Sequence, residues 1–221
     1  LFVQLGADKI RLTGGEPLLR SGLEKLISKL SSLNGLEDLC LTTNGSLLAE
    51  KVSALKSAGL KRINVSLDTL NSEKFARIRR RGDLAKVLEG LFAAKLYGLH
   101  PIKINAVIER GVNDDDIIDL VELSRKNGFA LRFIEYMDVG GANSWRMEDV
   151  VTRQEMLARL ADQYGTIEPV AGGDPAAPAE RFRLADGTRF GIIASTSEPF
   201  CRTCDRGRLT ADGQFLLCLY A

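Results

Sequence analysis

With 221 residues, 45% apolar composition and a formal net charge of +1, the chain carries enough apolar surface for one large or two small cores. The near-zero charge excludes a diffuse basic face for nucleic acid, which must displace many counterions at once. With no run of about eighteen apolar residues, a hydropathy-type membrane span is also excluded. Of four cysteines, Cys201, Cys204 and Cys218 cluster and Cys40 stands apart. That pattern suits metal ligation in a reducing, cytoplasmic compartment better than a disulfide framework, and Cys40 reads as a small buried hydrophobe. The opening Leu1-Phe-Val-Gln-Leu-Gly6 reads as the end of a helix already under way, so both ends are expected to be cut from a longer protein.

From Lys9 onward the pattern alternates strands and amphipathic helices. Strands are predicted at 9–13, 38–43, 62–67, 102–108 and 131–137, each bounded by Gly, Pro, Asn or Asp. Helices are predicted at 19–33, 47–58, 84–97 and 114–127, with Gly35, Gly59, Gly98 and Gly128 as terminators. Strand–helix steps in series give a parallel sheet with right-handed crossovers. At about thirty residues per step the expected fold is α/β, a partial and open TIM-like β/α barrel.

Strand parity adds a functional expectation. One face carries Ile10 and Leu12, Leu39 and Leu41, Ile63, Val65 and Leu67, Ile102 and Ile104, and suits packing against helices. The other carries Arg11 and Thr13, Thr42, Asn64, Ser66 and Asp68, Lys103 and Asn105. A filled barrel is lined by branched apolar residues, so a polar inner face implies an open lumen for a polar ligand. In the fifth strand Arg132 and Glu135 have opposite parity, which leaves its orientation open. The first strand ends in Thr13-Gly-Gly-Glu-Pro17, where two glycines let backbone approach a ligand and Glu16 can receive an ammonium or hydroxyl group.

After Met137 the composition changes, and a C-terminal extension over 140–221 follows a barrel domain over 1–139. Within it lie a turn-rich connection at 138–145, a capped helix at 152–164, a surface loop at 172–178, and a hairpin of 181–184 with 189–193 around Asp186-Gly187. The end of the chain, Cys201-Arg-Thr-Cys204-Asp-Arg-Gly-Arg208 and then Cys218 beyond a Gly-containing hairpin, lets three thiolates point at one centre. Two occupants fit that spacing: a 4Fe-4S cluster with one open iron, or a zinc ion with Asp205 or water as fourth ligand. Arg202, Arg206 and Arg208 would offset a thiolate-ligated cluster's charge and could grip an anion.

Taken together, Arg11-Leu-Thr-Gly-Gly-Glu-Pro17, Leu41-Thr-Thr-Asn-Gly45, Arg62-Ile-Asn-Val-Ser-Leu-Asp68, Arg132-Phe-Ile-Glu-Tyr-Met-Asp138 and the three-cysteine stretch resemble the radical S-adenosylmethionine family. Within it they are similar to the GTP 3',8-cyclases of molybdenum cofactor synthesis. The resemblance implies a lyase that converts GTP to (8S)-3',8-cyclo-7,8-dihydroguanosine 5'-triphosphate, by way of a 5'-deoxyadenosyl radical. It implies S-adenosylmethionine contacts at Gly15, Glu16, Ser66 and Met137, and GTP contacts at Arg11, Thr42, Lys103, Arg206, Gly207 and Arg208. Cys201, Cys204 and Cys218 become the ligands of an auxiliary 4Fe-4S cluster. The family's Cys-x-x-x-Cys-x-x-Cys segment, which holds a second 4Fe-4S cluster, is absent from these 221 residues, so the chain by itself is expected to be inactive. A reductant, the next enzyme of molybdopterin synthesis and a homodimeric assembly are implied as partners. Other radical enzymes with an auxiliary cluster, acting on peptides or in tungsten-cofactor synthesis, share the barrel motifs, and a zinc-stapled binding domain is the non-enzymatic alternative.

Overall fold

The structure, a computed structural model, describes residues 1–79, 82–138, 144–172, 174 and 176–218. Parts of the 138–145 connection and of the 172–178 loop, and the 139/140 boundary, lie outside the described residues. Eight strands form one mostly parallel sheet in the order β1 (Lys9–Leu12), β2 (Asp38–Thr43), β3 (Arg62–Ser66), β4 (Ile102–Ile108), β5 (Ala130–Glu135), β8 (Arg189–Ile193), β7 (Glu180–Leu184), β6 (Ile167–Pro169), and a separate two-stranded ribbon pairs β9 (Arg208–Leu209) with β10 (Phe215–Leu216). The chain divides into two compact units, residues 1–67 with 71–104, and 68–70 with 105–221.

In the first unit β1 (Lys9–Leu12), β2 (Asp38–Thr43) and β3 (Arg62–Ser66) run parallel, with α1 (Leu23–Ser31) and α2 (Leu48–Ser57) between them. Two further helices, α3 (Ser72–Arg79) and α4 (Leu84–Leu96), precede β4 (Ile102–Ile108), which ends in the second unit. The register aligns Leu12 with Leu41 and Leu41 with Ile63, so one apolar row crosses three strands. Leu41, Ile63, Val65, Ile27, Val52, Leu55, Val87 and Leu91 are fully buried, as the helix-facing parity requires. α2 and α4 pack closely because Gly90 has no side chain: a Cβ there would stand 2.8 Å from the Gly45 carbonyl oxygen and 2.8 Å from Leu48 Cβ.

Three helices depart from the sequence pattern, and α1 is the first: it starts at Leu23 rather than 19, because residues 17–19 form a separate 3-10 turn. Helix α3 was not expected, because it is short and buries only Phe75; its start is fixed by Asn71 Oδ1, which accepts from the amides of Glu73 and Lys74 at 3.0 Å each. Helix α5 (Ile117–Asn127) starts later than 114, because Asn113 is drawn inward instead of opening a helix. Its Oδ1 accepts from Glu109 N at 2.8 Å, and its Nδ2 donates to the carbonyls of Asp68 and Val107 at 2.7 and 2.8 Å.

In the second unit β5 (Ala130–Glu135) pairs in parallel with β8 (Arg189–Ile193), and β7 (Glu180–Leu184) runs antiparallel to both β8 and the short β6 (Ile167–Pro169). The expected hairpin of β7 and β8 is present, whereas β6, with Ile167 half-buried and Glu168 and Pro169 exposed, left no alternation to read. Phe133, Phe182 and Phe190 build the core, with ring centroids 6.3 Å apart edge-on for 133–190 and 5.5 Å apart stacked for 182–190. Helix α6 (Arg153–Tyr164) opens with a capping box: Glu155 N donates to Thr152 Oγ1 at 3.3 Å and Thr152 N to Glu155 Oε2 at 2.9 Å. Among the described residues no helix is long and apolar enough to cross a membrane.

Candidate functional site

The polar parity of the first unit is organised as a cationic strip. Arg11, Cys40 and Arg62 stand in register on adjacent strands. Arg62 is committed within the protein: its guanidinium forks onto Asp38, Nε donating to Oδ1 at 2.5 Å and Nη2 to Oδ2. This bond holds the Asp38 carboxyl below its ordinary range, helped by Lys103 and Lys9. Burial pushes the Cys40 thiol up, against the pull of Arg62 and Arg11, so Cys40 is the inert buried group its surroundings suggested. Arg11 is exposed and Lys103 half-buried on the same parity.

Thr42 and Asn64 pair across β2 and β3, Asn64 Nδ2 donating to Thr42 Oγ1 at 3.2 Å. The Thr42 hydroxyl hydrogen is thereby left to donate elsewhere. Asn64 is fully buried, and its Oδ1 has no hydrogen-bond partner among the described residues.

The Thr13-Gly-Gly-Glu-Pro17 turn lines a cleft of about 170 Å³ together with Leu12, Arg20, Leu23 and Leu26. Gly14 has φ +145°, a conformation that L side chains rarely adopt. Glu16 caps the 3-10 turn at 17–19 by accepting from Leu18 N at 3.0 Å, and it also accepts from Thr43 Oγ1 at 2.6 Å and Asn44 N at 2.7 Å. A carboxylate offers about four lone-pair directions. Three are taken by the protein, which leaves room for one further donor. Ser66 ends β3 half-buried, its carbonyl accepting from Arg79 Nη2 at 2.9 Å.

In the second unit Met137 lies half-buried two residues past β5. Cys201 opens a 3-10 turn at 201–203 that brings Cys204 N to 3.4 Å from the Cys201 carbonyl. Arg206 donates from Nε to Cys204 Sγ at 3.4 Å and lies 5.0 Å from the centre of the Phe200 ring. Bonds from the backbone and side chain of Arg206, aided by the charges of Arg206 and Arg208, lower the Cys204 thiol below its ordinary range. A Cβ at Gly207 would lie 2.6 Å from Phe215 Cε2 and Cζ, so the exposed Phe215 ring packs over this glycine. β9 (Arg208–Leu209) and β10 (Phe215–Leu216) close a ribbon two residues before Cys218. All three thiols are free, Cys201 and Cys218 exposed and Cys204 half-exposed. Among the described residues no group of three or more His, Cys, Asp or Glu side chains converges as a metal cage. The donor chemistry nonetheless fits a soft metal or an iron-sulfur cluster: three free thiols, one of them, Cys204, drawn toward thiolate by Arg206 and Arg208. Ligand bonds themselves order such small segments, and protein contacts alone leave this one open.

Glu135 was singled out from the sequence only for its parity. It sits on the buried face of β5 with Leu131 and Phe133, opposite in parity to Arg132. The signal that could have exposed its role is a Glu among core positions combined with Ser195-Thr196-Ser197 directly after β8.

Residues 1–124 match the family model of the radical SAM superfamily, and residues 129–221 match that of Molybdenum Cofactor Synthesis C. The chain belongs to the radical SAM superfamily. Membership brings with it 4Fe-4S and S-adenosylmethionine chemistry as the family's common property. Among curated relatives, "GTP 3',8-cyclase 3" of Mycobacterium bovis is 53% identical over 224 residues, covering 100% of this chain and 59% of that protein. "GTP 3',8-cyclase" of Aquifex aeolicus is 46% identical over 225 residues, covering 100% of this chain and 68% of that protein. This radical SAM chain thus spans about 59% of the length of the first of these relatives. Among solved structures, TYW1 with a bound lysine-pyruvate adduct superposes with TM-score 0.55 at 23% identity, over 76% of this chain and 54% of that one. A domain of pyruvate-formate lyase-activating enzyme from Bacteroides vulgatus gives TM-score 0.56 at 13% identity, over 71% and 92%. These two likenesses establish the fold, and with the strand order they give the expected open, partial TIM-like β/α arrangement.

Proposed function

We propose that the protein to which this chain belongs is a radical SAM GTP 3',8-cyclase, a lyase acting at the first step of molybdenum cofactor synthesis. The observation that carries the reading is the pairing, in one chain, of the radical SAM match at 1–124 with the Molybdenum Cofactor Synthesis C match at 129–221. Cyclases at 53% and 46% identity along the whole chain support it.

In this reading Gly15, Glu16, Ser66 and Met137 hold S-adenosylmethionine. The fourth lone-pair direction of Glu16 and the exposed backbone of Gly14 and Gly15 receive its amino-acid end. Arg11, Thr42, Lys103, Arg206, Gly207 and Arg208 hold GTP. The three arginines and the lysine neutralise phosphate charge, and the Thr42 hydroxyl is oriented as a donor by Asn64. Cys201, Cys204 and Cys218 hold an auxiliary 4Fe-4S cluster, which when bound offers a Lewis-acidic iron for the purine. The residues' contribution is placement: they fix the ribose 3' carbon against guanine C8 and keep water from the reacting atoms. The division into a barrel domain, 1–139, and an extension, 140–221, belongs to this proposal, as do a cytoplasmic setting, an external reductant, a homodimer and delivery of product to the next enzyme of molybdopterin synthesis.

The test is anaerobic incubation of the full-length protein with GTP, S-adenosylmethionine and dithionite. Equimolar 5'-deoxyadenosine and a cyclised guanosine triphosphate are expected by mass spectrometry. Deoxyadenosine formed equally well without GTP overturns the substrate, and zinc in place of iron and sulfide overturns the auxiliary cluster.

A further inference from the structure

Glu135 is wholly buried at the end of β5, yet every direction its carboxylate faces is filled by a donor. Oε1 accepts from Arg153 N at 2.8 Å and Ser197 Oγ at 2.5 Å, and Oε2 accepts from Thr196 N at 2.9 Å and Ser197 N at 2.7 Å. Burying a carboxylate is unfavourable by several kcal/mol unless it is satisfied in this way. The donors come from two places far apart in sequence, the first turn of α6 and the turn that follows β8.

The same turn is held along a second line. Ser195 Oγ donates to the Glu135 carbonyl and Thr196 Oγ1 to the Tyr136 carbonyl, each at 3.0 Å. All three hydroxyls of Ser195-Thr196-Ser197 therefore point at residues 135 and 136. Arg153 adds a bridge, with Nη1 on Glu180 at 2.6 Å and Nη2 on Glu198 at 2.7 Å. Three residues beyond Glu198 stands Cys201, and residues 201–203 are exposed.

We propose that Glu135 is a positioning residue for the cysteine segment: its carboxylate fixes the exit direction of residues 195–198, and so delivers Cys201 and Cys204 where a cluster can be assembled. This rests on the reading of those cysteines as cluster ligands. The four acceptor directions of the Glu135 carboxylate are all taken by the protein, so in this proposal it acts through the residues it holds. A glutamine in its place keeps the shape but turns an NH2 group toward groups that are themselves donors.

The test compares E135Q with the milder S197A in the full-length protein. Amide hydrogen exchange is followed in metal-free protein over residues 198–204, with β3 and β8 as internal references, and iron per chain is counted after anaerobic reconstitution. In E135Q, exchange over 198–204 is expected to accelerate about tenfold, the loss of one charge-assisted bond, while β3 and β8 keep their protection and iron at the auxiliary site falls. S197A is expected to shift the same segment less. Unchanged exchange over 198–204 overturns the proposal, and so does acceleration of β8 by the same factor, which marks a merely structural carboxylate. If E135Q does not fold, S197A decides by the same criterion. A wild-type protein that takes up no iron at the auxiliary site overturns the cluster reading instead, and the exchange comparison still decides on Glu135.

Discussion

Glu16 couples two turns that the sequence separates by 26 residues, and replacing it with Gln measures that coupling. In the native chain one carboxylate accepts from Leu18 N at 3.0 Å, Thr43 Oγ1 at 2.6 Å and Asn44 N at 2.7 Å. Whichever way a glutamine amide is placed, its NH2 faces at least one backbone N–H, Leu18 on one side or Asn44 on the other. Thr43 can adapt by rotating its hydroxyl, but a backbone amide cannot. At least one charge-assisted bond is therefore lost. Such a bond contributes about 1.5–3 kcal/mol, so we take the loss as about 2 kcal/mol. For a chain of this size each kcal/mol moves the melting temperature by about 2–4 °C, and E16Q is expected to melt about 4–8 °C lower. Scanning calorimetry reads the shift, and equilibrium dialysis on the full-length protein reads S-adenosylmethionine retention. An E16Q chain that melts with wild type would sink the coupling. Loss of S-adenosylmethionine with an unchanged melting point would assign Glu16 to the ligand alone.

Gly90→Ala gains about 1 kcal/mol of helix propensity but drives a Cβ to 2.8 Å from the Gly45 carbonyl oxygen. Backbone cannot rotate away, so overpacking of about 2–3 kcal/mol prevails, and urea unfolding should show net destabilisation. Glu155 is held down to about 2, first by the Thr152 backbone N–H and then by Arg110 and the Thr152 hydroxyl. Its folded pKa lies below the unfolded one, so its stabilisation is complete above pH about 4.5 and fades as pH falls toward 2. The stability gap between wild type and E155A, about 1 kcal/mol from the capping box because the side chain is 41% exposed and screened, should close over that window; a gap constant from pH about 6 to about 2 contradicts the assignment. Arg206→Ala or Arg208→Ala should weaken GTP binding by the full-length protein about tenfold each, measured by calorimetry, whereas a peptide-modifying enzyme would be indifferent to the nucleotide.

How much of this was legible beforehand varies with the physics involved. The first four strands announced themselves because each alternates apolar and polar residues, even in β1, where neither face is buried, and the register then aligned Leu12, Leu41 and Ile63 as the parity requires. Helix α3 did not, because a single buried Phe75 leaves no periodic stripe. Helix α5 starts at 117 rather than at the expected 114 because Asn113 spends its side chain on residues 68, 107 and 109, a use no local rule contains. The cysteine segment could be read as chemistry but not as geometry, since spacing says which thiols can share a centre and ligand bonds determine whether they do.

The two acidic residues in the most recognisable turns make the same point from the other side. Glu16, in Gly-Gly-Glu-Pro, and Glu135, in Phe-Ile-Glu-Tyr-Met-Asp, both lie at or just past a strand's carboxyl end. Read as residue types they look like ligand groups, yet Glu16 accepts three bonds from the protein and Glu135 four. Loops at strand ends lack the ladder that orders a strand, and a carboxylate that gathers several amides can supply that order from a single position. The motif then encodes the placement of its neighbours, Gly15 and Thr42 around Glu16, Met137 and Cys201 around Glu135. Substitution of either Glu by a neutral isostere should therefore disturb residues it never touches.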